Sequence, residues 1–270
     1  MVIYSHSKIS TFEQCPLKFK FRYIDKLEPD IKQTIESFLG NKIHETLQWI
    51  YENANEKTFE LDDIVKYFID LWNQDFSNEI KVVNEEYNAE YYFDKGIKLL
   101  INYFLSNSPF IDNTIATEKK VFINLDPEGK YQLQGYIDRL VHNKESNIFE
   151  IHDYKTGALK SQEELDKDRQ LALYAIGIKN MFENVDTVLL IWHFLDFNKK
   201  LISKRSDEQL EKLKKELIDS IAKIESTKEF NANPGCLCKW CEFRSYCPEV
   251  DKAVCDNNFE PEYNGENNGS

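Results

Sequence analysis

Two short segments of the sequence place carboxylates and a lysine at spacings that could do chemistry. The first is Gly135-Tyr136-Ile137-Asp138, and the second runs to Asp153-Tyr154-Lys155. If the second segment is a strand, the alternation of its side chains puts Asp153 and Lys155 on the same face. A hairpin centred on Glu145-Ser146 would place Asp138 directly opposite Asp153, with Cβ atoms about 4.5 to 5.5 Å apart.

Two carboxylates at that separation repel each other unless a cation neutralises them. Hard oxygen ligands suit Mg²⁺ or Mn²⁺. Such an ion could polarise a phosphate and lower the pKa of a bound water, and Lys155 could stabilise charge in the transition state. The alternative is a charge ladder on the surface of a sheet. The otherwise apolar character of both segments favours a site.

Three further polar positions could contribute. His44 lies at the edge of the apolar stripe of a predicted helix, Glu118 lies on a predicted strand, and Gln170 and Tyr174 lie four residues apart on one helix face. Each could equally be a packing or hydrogen-bonding residue, because such residues are common in ordinary cores. None of them makes the case alone.

The six cysteines are Cys15, Cys236, Cys238, Cys241, Cys247 and Cys255. The absence of an export signal predicts an intracellular, cytoplasmic protein, and a disulfide framework is rare there. The tight Cys238-x2-Cys241-x5-Cys247 triplet therefore indicates a metal or cluster ligand set that needs a fourth thiolate. A local zinc site using Cys236 and an iron–sulfur site both fit this pattern.

The composition is that of an ordinary globular protein. The chain has 270 residues, of which 41% are hydrophobic and 30% charged, and it has no apolar stretch of the roughly 20 residues that a membrane helix needs. Its net charge is −13, so a nucleic-acid surface would have to be a local patch on an acidic molecule.

Two segments interleave cations with aromatic rings in a way that could bind nucleic acid. One has Lys18, Lys20 and Arg22 beside Phe19, Phe21 and Tyr23, and the other has Lys239, Trp240 and Arg244. The alternative interpretation is a solvated surface.

Hydrophobic periodicity predicts helices over most of the first 105 residues, and alternation then predicts three strands. The predicted strands are 115–125, 131–142 and 147–155, followed by a helix at 162–183, a buried strand at 185–197 and a helix at 206–226. This order predicts an α/β fold in which helices flank a mixed central sheet. Residues 256–270 are rich in Asn, Glu and Gly, which predicts a disordered tail.

The motifs together resemble the RecB-like nucleases of the PD-(D/E)xK superfamily. The resemblance is closest to their iron–sulfur members, which include the CRISPR-associated nuclease of the fourth Cas family and the AddB nuclease domain. It rests on the following segments: Ser5 to Phe19, Gly40-Asn41-Lys42-Ile43-His44, Gly135 to Arg139, Asp153-Tyr154-Lys155-Thr156-Gly157 and Gln170-Leu171-Ala172-Leu173-Tyr174.

The resemblance implies a restriction-endonuclease-like core in a single domain, 1–255, with a helical insertion at about 45–110. It implies a metal-dependent DNA nuclease of the exonuclease type that acts in repair, recombination or CRISPR spacer acquisition. A helicase or CRISPR adaptation proteins would be its partners. The long helical segment favours a stand-alone exonuclease over an adaptation factor, and the competing interpretation is a catalytically silent DNA-binding or scaffolding module.

The resemblance also assigns roles to individual residues. The metal ligands would be His44, Asp138, Asp153 and the carbonyl of Tyr154, and the catalytic set would add Lys155, Gln170 and Tyr174. A 4Fe-4S cluster would be held by Cys15 together with Cys238, Cys241 and Cys247, so that the 236–255 segment packs with the N-terminus. One departure is that Asp153 stands where the family usually has Glu.

Overall fold

The computed structural model describes residues 3–252, and its first half is helical. The helices are α1 (His6–Gln14), α2 (Pro16–Phe19), which continues into a π-helical turn (Lys20–Ile24), α3 (Ile35–Asn53), α4 (Leu61–Asp75) and α5 (Ala89–Asn107). The predicted helical character of this region is confirmed. Within the described residues, no helix has the length and apolar character needed to cross a membrane.

A five-stranded mixed sheet forms the centre of the second half, as predicted. Its strands, in the spatial order β1-β2-β3-β4-β5, are β1 (Thr114–Asn124), β2 (Gln132–Asn143), β3 (Ile148–Lys155), β4 (Thr187–Phe194) and β5 (Lys199–Lys204). Among the strand pairs of this sheet in residues 3–252, β3–β4 is parallel and the others are antiparallel. The crossover between them contains α6 (Gln162–Lys167) and α7 (Gln170–Met181), and α8 (Asp207–Ser226) follows the sheet.

The structure corrects the predicted boundaries in this half. The helix predicted at 162–183 is two helices, because the chain is extended at Asp168. The strand predicted at 185–197 ends in a 3-10 turn over Leu195–Phe197. The sequence did not predict strand β5, because its apolar residue faces solvent and a polar residue faces the interior. Ile202 is exposed and Ser203 is buried. Pairing with β4 therefore decides this strand, rather than its own hydrophobic pattern.

The sheet separates two hydrophobic cores. The first lies between the sheet and helices α1, α7 and α8, and it includes the buried stripe of α8 that the sequence predicts: Leu210, Leu213, Leu217, Ile221 and Ile224. The second is formed by α3, α4 and α5, and it includes Tyr154 of β3. Phe149 and Ile151 of the same strand belong to the first core. Strand β3 therefore joins both cores, and its last residues lie where they meet.

Backbone and side-chain hydrogen bonds join the two ends of the described chain. The Leu17 amide donates to the Asn231 carbonyl at 3.2 Å, and the Asn233 side-chain amide donates to the Gln14 carbonyl at 2.9 Å. The Asp30 amide donates to the Glu242 carbonyl at 2.7 Å. The C-terminal segment thus packs with the N-terminal helices. Cys255 and the predicted disordered tail at 256–270 lie outside the described residues, and the single-domain assignment of 1–255 stays a prediction.

Candidate active site and cysteine cavity

The hairpin formed by β2 and β3 has the predicted register. Its pairs run from Asn143 opposite Ile148 to Arg139 opposite His152. Asp138 and Asp153 follow one position beyond the last of these pairs. The Tyr154 amide donates to Oδ2 of Asp138 at 2.9 Å, so the Asp138 carboxylate reaches across to the end of β3.

His44 on α3 completes this arrangement from the helical side. Its Nε2–H donates to the Tyr154 carbonyl oxygen at 2.9 Å, and its Nδ1 lies 3.4 Å from Oδ2 of Asp138. Three members of the predicted ligand set therefore meet at one point. The remaining member, Asp153, has a different closest partner.

Glu118 on β1 takes part in this cluster, although the sequence left its role open. Ligand atoms of His44, Glu118 and Asp138 all lie within 4.8 Å of one another. Glu118 lies between the pairs Thr117–Arg139 and Lys119–Ile137, and its φ of 43° is in the left-handed region, where a non-glycine residue is strained. The only sequence signal for it was a lone carboxylate on a strand.

Asp153 and Lys155 form a buried ion pair beside the cluster. The Lys155 Nζ donates to Oδ1 of Asp153 at 3.1 Å and lies 2.9 Å from Oδ2. The two residues are 4% and 8% exposed. Among the described residues, Oδ2 has no hydrogen bond of suitable angle despite that short distance, which leaves one buried carboxylate oxygen incompletely satisfied.

The electrostatics of the cluster reflect crowded negative charge. Burial raises the pKa of Glu118 to about 7, and the Asp138 carboxylate contributes to the rise. Burial likewise raises the pKa of Asp153 to about 6, although Lys155 opposes this. Burial alone would lower the pKa of Lys155, but the Asp153 carboxylate outweighs it and raises that pKa. Lys155 is therefore charged at neutral pH.

The donor set fits a divalent cation. Two close carboxylates and a backbone carbonyl are hard oxygen donors of the kind that bind Mg²⁺ or Mn²⁺, and one imidazole nitrogen lies with them. Burial is the main cause of the raised pKa values of Glu118 and Asp153, and the Asp138 carboxylate adds to both. A bound cation would favour the ionised carboxylates and could give the incompletely satisfied Oδ2 of Asp153 a partner.

Helix α7 supports Lys155 through Gln170. The side-chain oxygen of Gln170 accepts a hydrogen bond from Lys155 at 3.2 Å, and its amide lies 3.5 Å from the Tyr174 hydroxyl. Gly135 on β2 makes room for the ring of Tyr174, because a Cβ at this position would lie 2.3 Å from Cε1 of Tyr174.

A buried polar network lies on the opposite side of Tyr154. The Arg139 Nε donates to the Tyr154 hydroxyl at 2.9 Å, and its NH2 group donates to Nδ1 of His152 at 2.8 Å. The same guanidinium pairs with Asp112 and lies over the Tyr51 ring. Burial holds the pKa of His152 well below its usual range, which keeps this ring neutral and able to accept. Tyr154 is thus held through its backbone by His44 and Asp138 and through its hydroxyl by Arg139.

Four cysteines surround one cavity between the chain ends. Cys15, Cys238, Cys241 and Cys247 are free thiols that line a cavity of about 280 Å³. Burial raises the pKa of Cys241, and Cys15 also contributes to the rise. Cys236 also lines the cavity but is disulfide-bonded, whereas the sequence predicted metal or cluster ligands and no disulfides. Four thiols around one cavity suit either zinc or an iron–sulfur cluster.

Most of the side chains predicted to contact DNA near the N-terminus have internal partners. Lys18 and Arg22 both pair with Glu242, and Phe19 is buried in the first core. Lys20 lies 3.3 Å from Asp25. In the C-terminal segment, Lys239 and Arg244 are exposed, and Lys239 lies over the Trp240 ring.

Comparisons with known proteins agree with this arrangement. A crystal structure from Eubacterium rectale entitled "Putative exonuclease" aligns with a TM-score of 0.53 at 10% identity, covering 96% of this chain and 91% of that one, which shows a shared fold. The structure of SSO0001 aligns at 17% identity over 78% of this chain and 94% of that chain. Its TM-score of 0.35 is too low to show a shared fold. No curated protein matches the chain.

The family comparison covers nearly all of the described chain. The model of the PD-(D/E)XK nuclease superfamily matches residues 3–248, a span that includes the His44 cluster, the Asp153–Lys155 pair and the four free cysteines. The chain therefore belongs to the PD-(D/E)XK nuclease superfamily.

Proposed function

We propose that this protein is a deoxyribonuclease that requires Mg²⁺ or Mn²⁺ and works as an exonuclease. The observation that carries the proposal is the meeting of His44, Glu118 and Asp138 beside the buried Asp153–Lys155 pair. Membership of a nuclease superfamily supports DNA as the substrate. The name of the Eubacterium rectale protein agrees with exonuclease action.

Each residue of the site has a distinct task in phosphodiester hydrolysis. His44, Glu118, Asp138, Asp153 and the Tyr154 carbonyl would hold the cation. When bound, the cation would supply Lewis acidity toward the phosphate and lower the pKa of a coordinated water. The Lys155 ammonium lies beside this cluster and stabilises negative charge that develops on the phosphate oxygens. Gln170 orients that ammonium through its 3.2 Å hydrogen bond.

A catalytically silent DNA-binding module is the competing function. Such a module gains nothing from gathering two acids around one imidazole beside a third, buried acid, because their repulsion costs folding free energy unless a cation is bound. Lys155 is equally costly to bury, and only its pairing with Asp153 and Gln170 compensates the burial. These costs support a retained catalytic function.

The proposal is tested with end-labelled single-stranded and double-stranded DNA. We expect the purified protein to cleave with Mg²⁺ or Mn²⁺ and not with EDTA, and to release short products from an end. Asp138→Ala, Asp153→Ala and Lys155→Ala should each abolish cleavage while the protein still folds, although the last two break the buried ion pair and should lower the melting temperature. Asp94→Ala on the exposed surface of α5 is the matched control and should cleave normally. Near wild-type cleavage by either Asp138→Ala or Asp153→Ala would rule the assignment out.

We further propose that the four free cysteines hold a 4Fe-4S cluster that joins the chain ends. The cavity that they share, and the hydrogen bonds between the N-terminal helices and the 231–242 segment, support a structural role. Cys15 is the ligand that distinguishes this arrangement from a local zinc site. Iron, sulfide and zinc analysis after anaerobic purification decides between the two metals.

A further inference from the structure

The exposed face at the edge of the sheet carries two aromatic rings with a lysine between them. Phe122 on β1 is 47% exposed and Tyr136 on β2 is 42% exposed. The Lys120 Nζ lies 5.3 Å from the centre of the Phe122 ring and 5.7 Å from that of Tyr136. Lys120 and Tyr136 are register partners. We name these three residues the edge platform.

The strand pattern explains why these side chains face solvent together. Val121 and Ile123 alternate with Lys120 and Phe122 and are buried in the first core, so the platform residues of β1 point away from that core. A folded monomer gains nothing from exposing two large rings side by side, and such a patch commonly marks a binding surface.

The charge of Lys120 is unbalanced. Within residues 3–252, Lys120 makes no ion pair, whereas Lys18 and Arg22 both pair with Glu242. The ammonium group of Lys120, placed between two exposed rings, is available to an external anion even though the chain has a net charge of −13. It suits an anionic partner that also has flat apolar surfaces.

The edge platform adjoins the candidate active site. Tyr136 precedes Asp138 by two residues, and Lys120 follows Glu118 by two residues on the paired strand. A two-residue step along a strand is about 6.6 Å. A polymer that approaches the acids along these strands from the Asn124–Gln132 end therefore crosses the platform.

We infer that the edge platform binds single-stranded DNA next to the cleavage site, with bases stacked on Tyr136 and Phe122 and a phosphate near Lys120. Exposed rings bind unpaired bases, because the bases of a duplex are already stacked. This inference rests on the proposed nuclease function for the identity of the polymer. It predicts a preference for single-stranded over double-stranded DNA, which the metal cluster by itself does not determine.

Binding measured in EDTA tests the platform separately from catalysis. A fluorescein-labelled oligo(dT), which forms no duplex, is titrated with protein, and a blunt duplex of equal length is titrated in parallel. Phe122→Ser and Tyr136→Ser should each weaken oligo(dT) binding about fivefold or more, with little effect on the duplex. Tyr136→Trp keeps a stacking surface and should restore binding. Phe197→Ser removes a comparably exposed ring elsewhere and should bind like the wild type.

The lysine has its own control on the opposite edge of the sheet. Lys120→Ala should weaken binding and lower the slope of log K against log salt by about 0.7, the value of one phosphate contact on a single strand. Lys199→Ala on β5 removes an exposed lysine from the other edge strand and should leave the slope unchanged. If the two changes alter the slope equally, Lys120 serves only to prevent the edge strand from pairing with another chain.

The outcomes separate this inference from the proposed function. If the wild type cleaves DNA but both ring variants bind oligo(dT) within twofold of it, the platform is wrong and the nuclease assignment stands. If ring-dependent binding is found without any metal-dependent cleavage, the platform stands and the nuclease assignment fails. Equal weakening of duplex and single-strand binding would also overturn the inference. Melting temperatures confirm that each variant is folded.

Discussion

The ring of Tyr174 lies so close to Gly135 that a Cβ at this position would come within 2.3 Å of its Cε1 atom. Tyr174 in turn neighbours Gln170, which orients Lys155. A glycine on β2 therefore sets the position of α7 relative to the end of β3. Gly135, which contacts no substrate itself, therefore influences the position of the Lys155 ammonium that would face the substrate.

Gly135→Ala should destabilise the protein and impair cleavage together. Overpacking a buried site costs about 1 to 3 kcal/mol, and the displaced Tyr174 ring should disturb the Gln170–Lys155 hydrogen bond. Gly40→Ala in α3 is the control, because its Cβ would lie 3.4 Å from Oγ1 of Thr156 and alanine favours a helix. Urea unfolding and single-turnover cleavage measure both effects. Wild-type stability of Gly135→Ala would show that α7 can move freely away from the sheet.

Glu118→Gln should raise the metal concentration required for half-maximal cleavage. The change keeps the shape of the side chain but removes a carboxylate from the His44–Glu118–Asp138 cluster, and we expect an increase of about tenfold or more. Glu128→Gln in the turn after β1 is the control, since that residue is exposed. Manganese titrations of cleavage compare the two variants. An unchanged titration curve would mean that Glu118 does not bind the metal and has only a packing role.

The metal-free protein should lose stability through the carboxyl cluster as pH rises toward 7. The pKa of Glu118 is raised from 4.5 to about 7 and that of Asp153 from 3.8 to about 6, so the folded state binds more protons than the unfolded state in this window. The stabilisation is fully present below the unfolded values and is lost as pH rises through the folded ones.

Melting temperatures in EDTA between pH 4 and pH 8 check this sign. Other groups also titrate here, so the quantity of interest is the wild type minus Glu118→Gln. The melting temperature of the wild type should fall relative to that of Glu118→Gln as pH rises. With saturating Mn²⁺ the trend should weaken or reverse, because the cation favours the ionised carboxylates. A difference that does not vary with pH would contradict the raised pKa of Glu118.

Cys15→Ala should remove the metal centre, although Cys15 lies far from the other three thiols in sequence. A link that closes so long a loop restricts the unfolded chain, and a metal held only by the folded protein adds its binding free energy to stability. We expect loss of brown colour, loss of iron and a lower melting temperature. Cys236→Ala should keep the iron, since Cys236 is not one of the four free thiols. Loss of metal from Cys236→Ala alone would indicate a local zinc site instead.

Local patterns in the sequence were sufficient for much of the fold and for part of the site. The period of the apolar residues predicted the helices and the α8 stripe, and alternation with a central turn predicted the β2–β3 register to the residue. These features depend on neighbours that are close in sequence. For the same reason, the placement of Asp138 near Asp153 followed from one hairpin.

Only the tertiary structure decided which distant residues share the site. Glu118 joins His44 and Asp138 because β1 pairs with β2 through a strained residue at 118, and no periodicity encodes that strain. Strand β5 forms because it pairs with the edge of β4, although its own hydrophobic pattern does not favour a strand. Glu242 pairs with Lys18 and Arg22 across more than 200 residues, which a motif of cations and rings cannot reveal. Contacts of this kind depend on how the elements pack, so the sequence alone left them open.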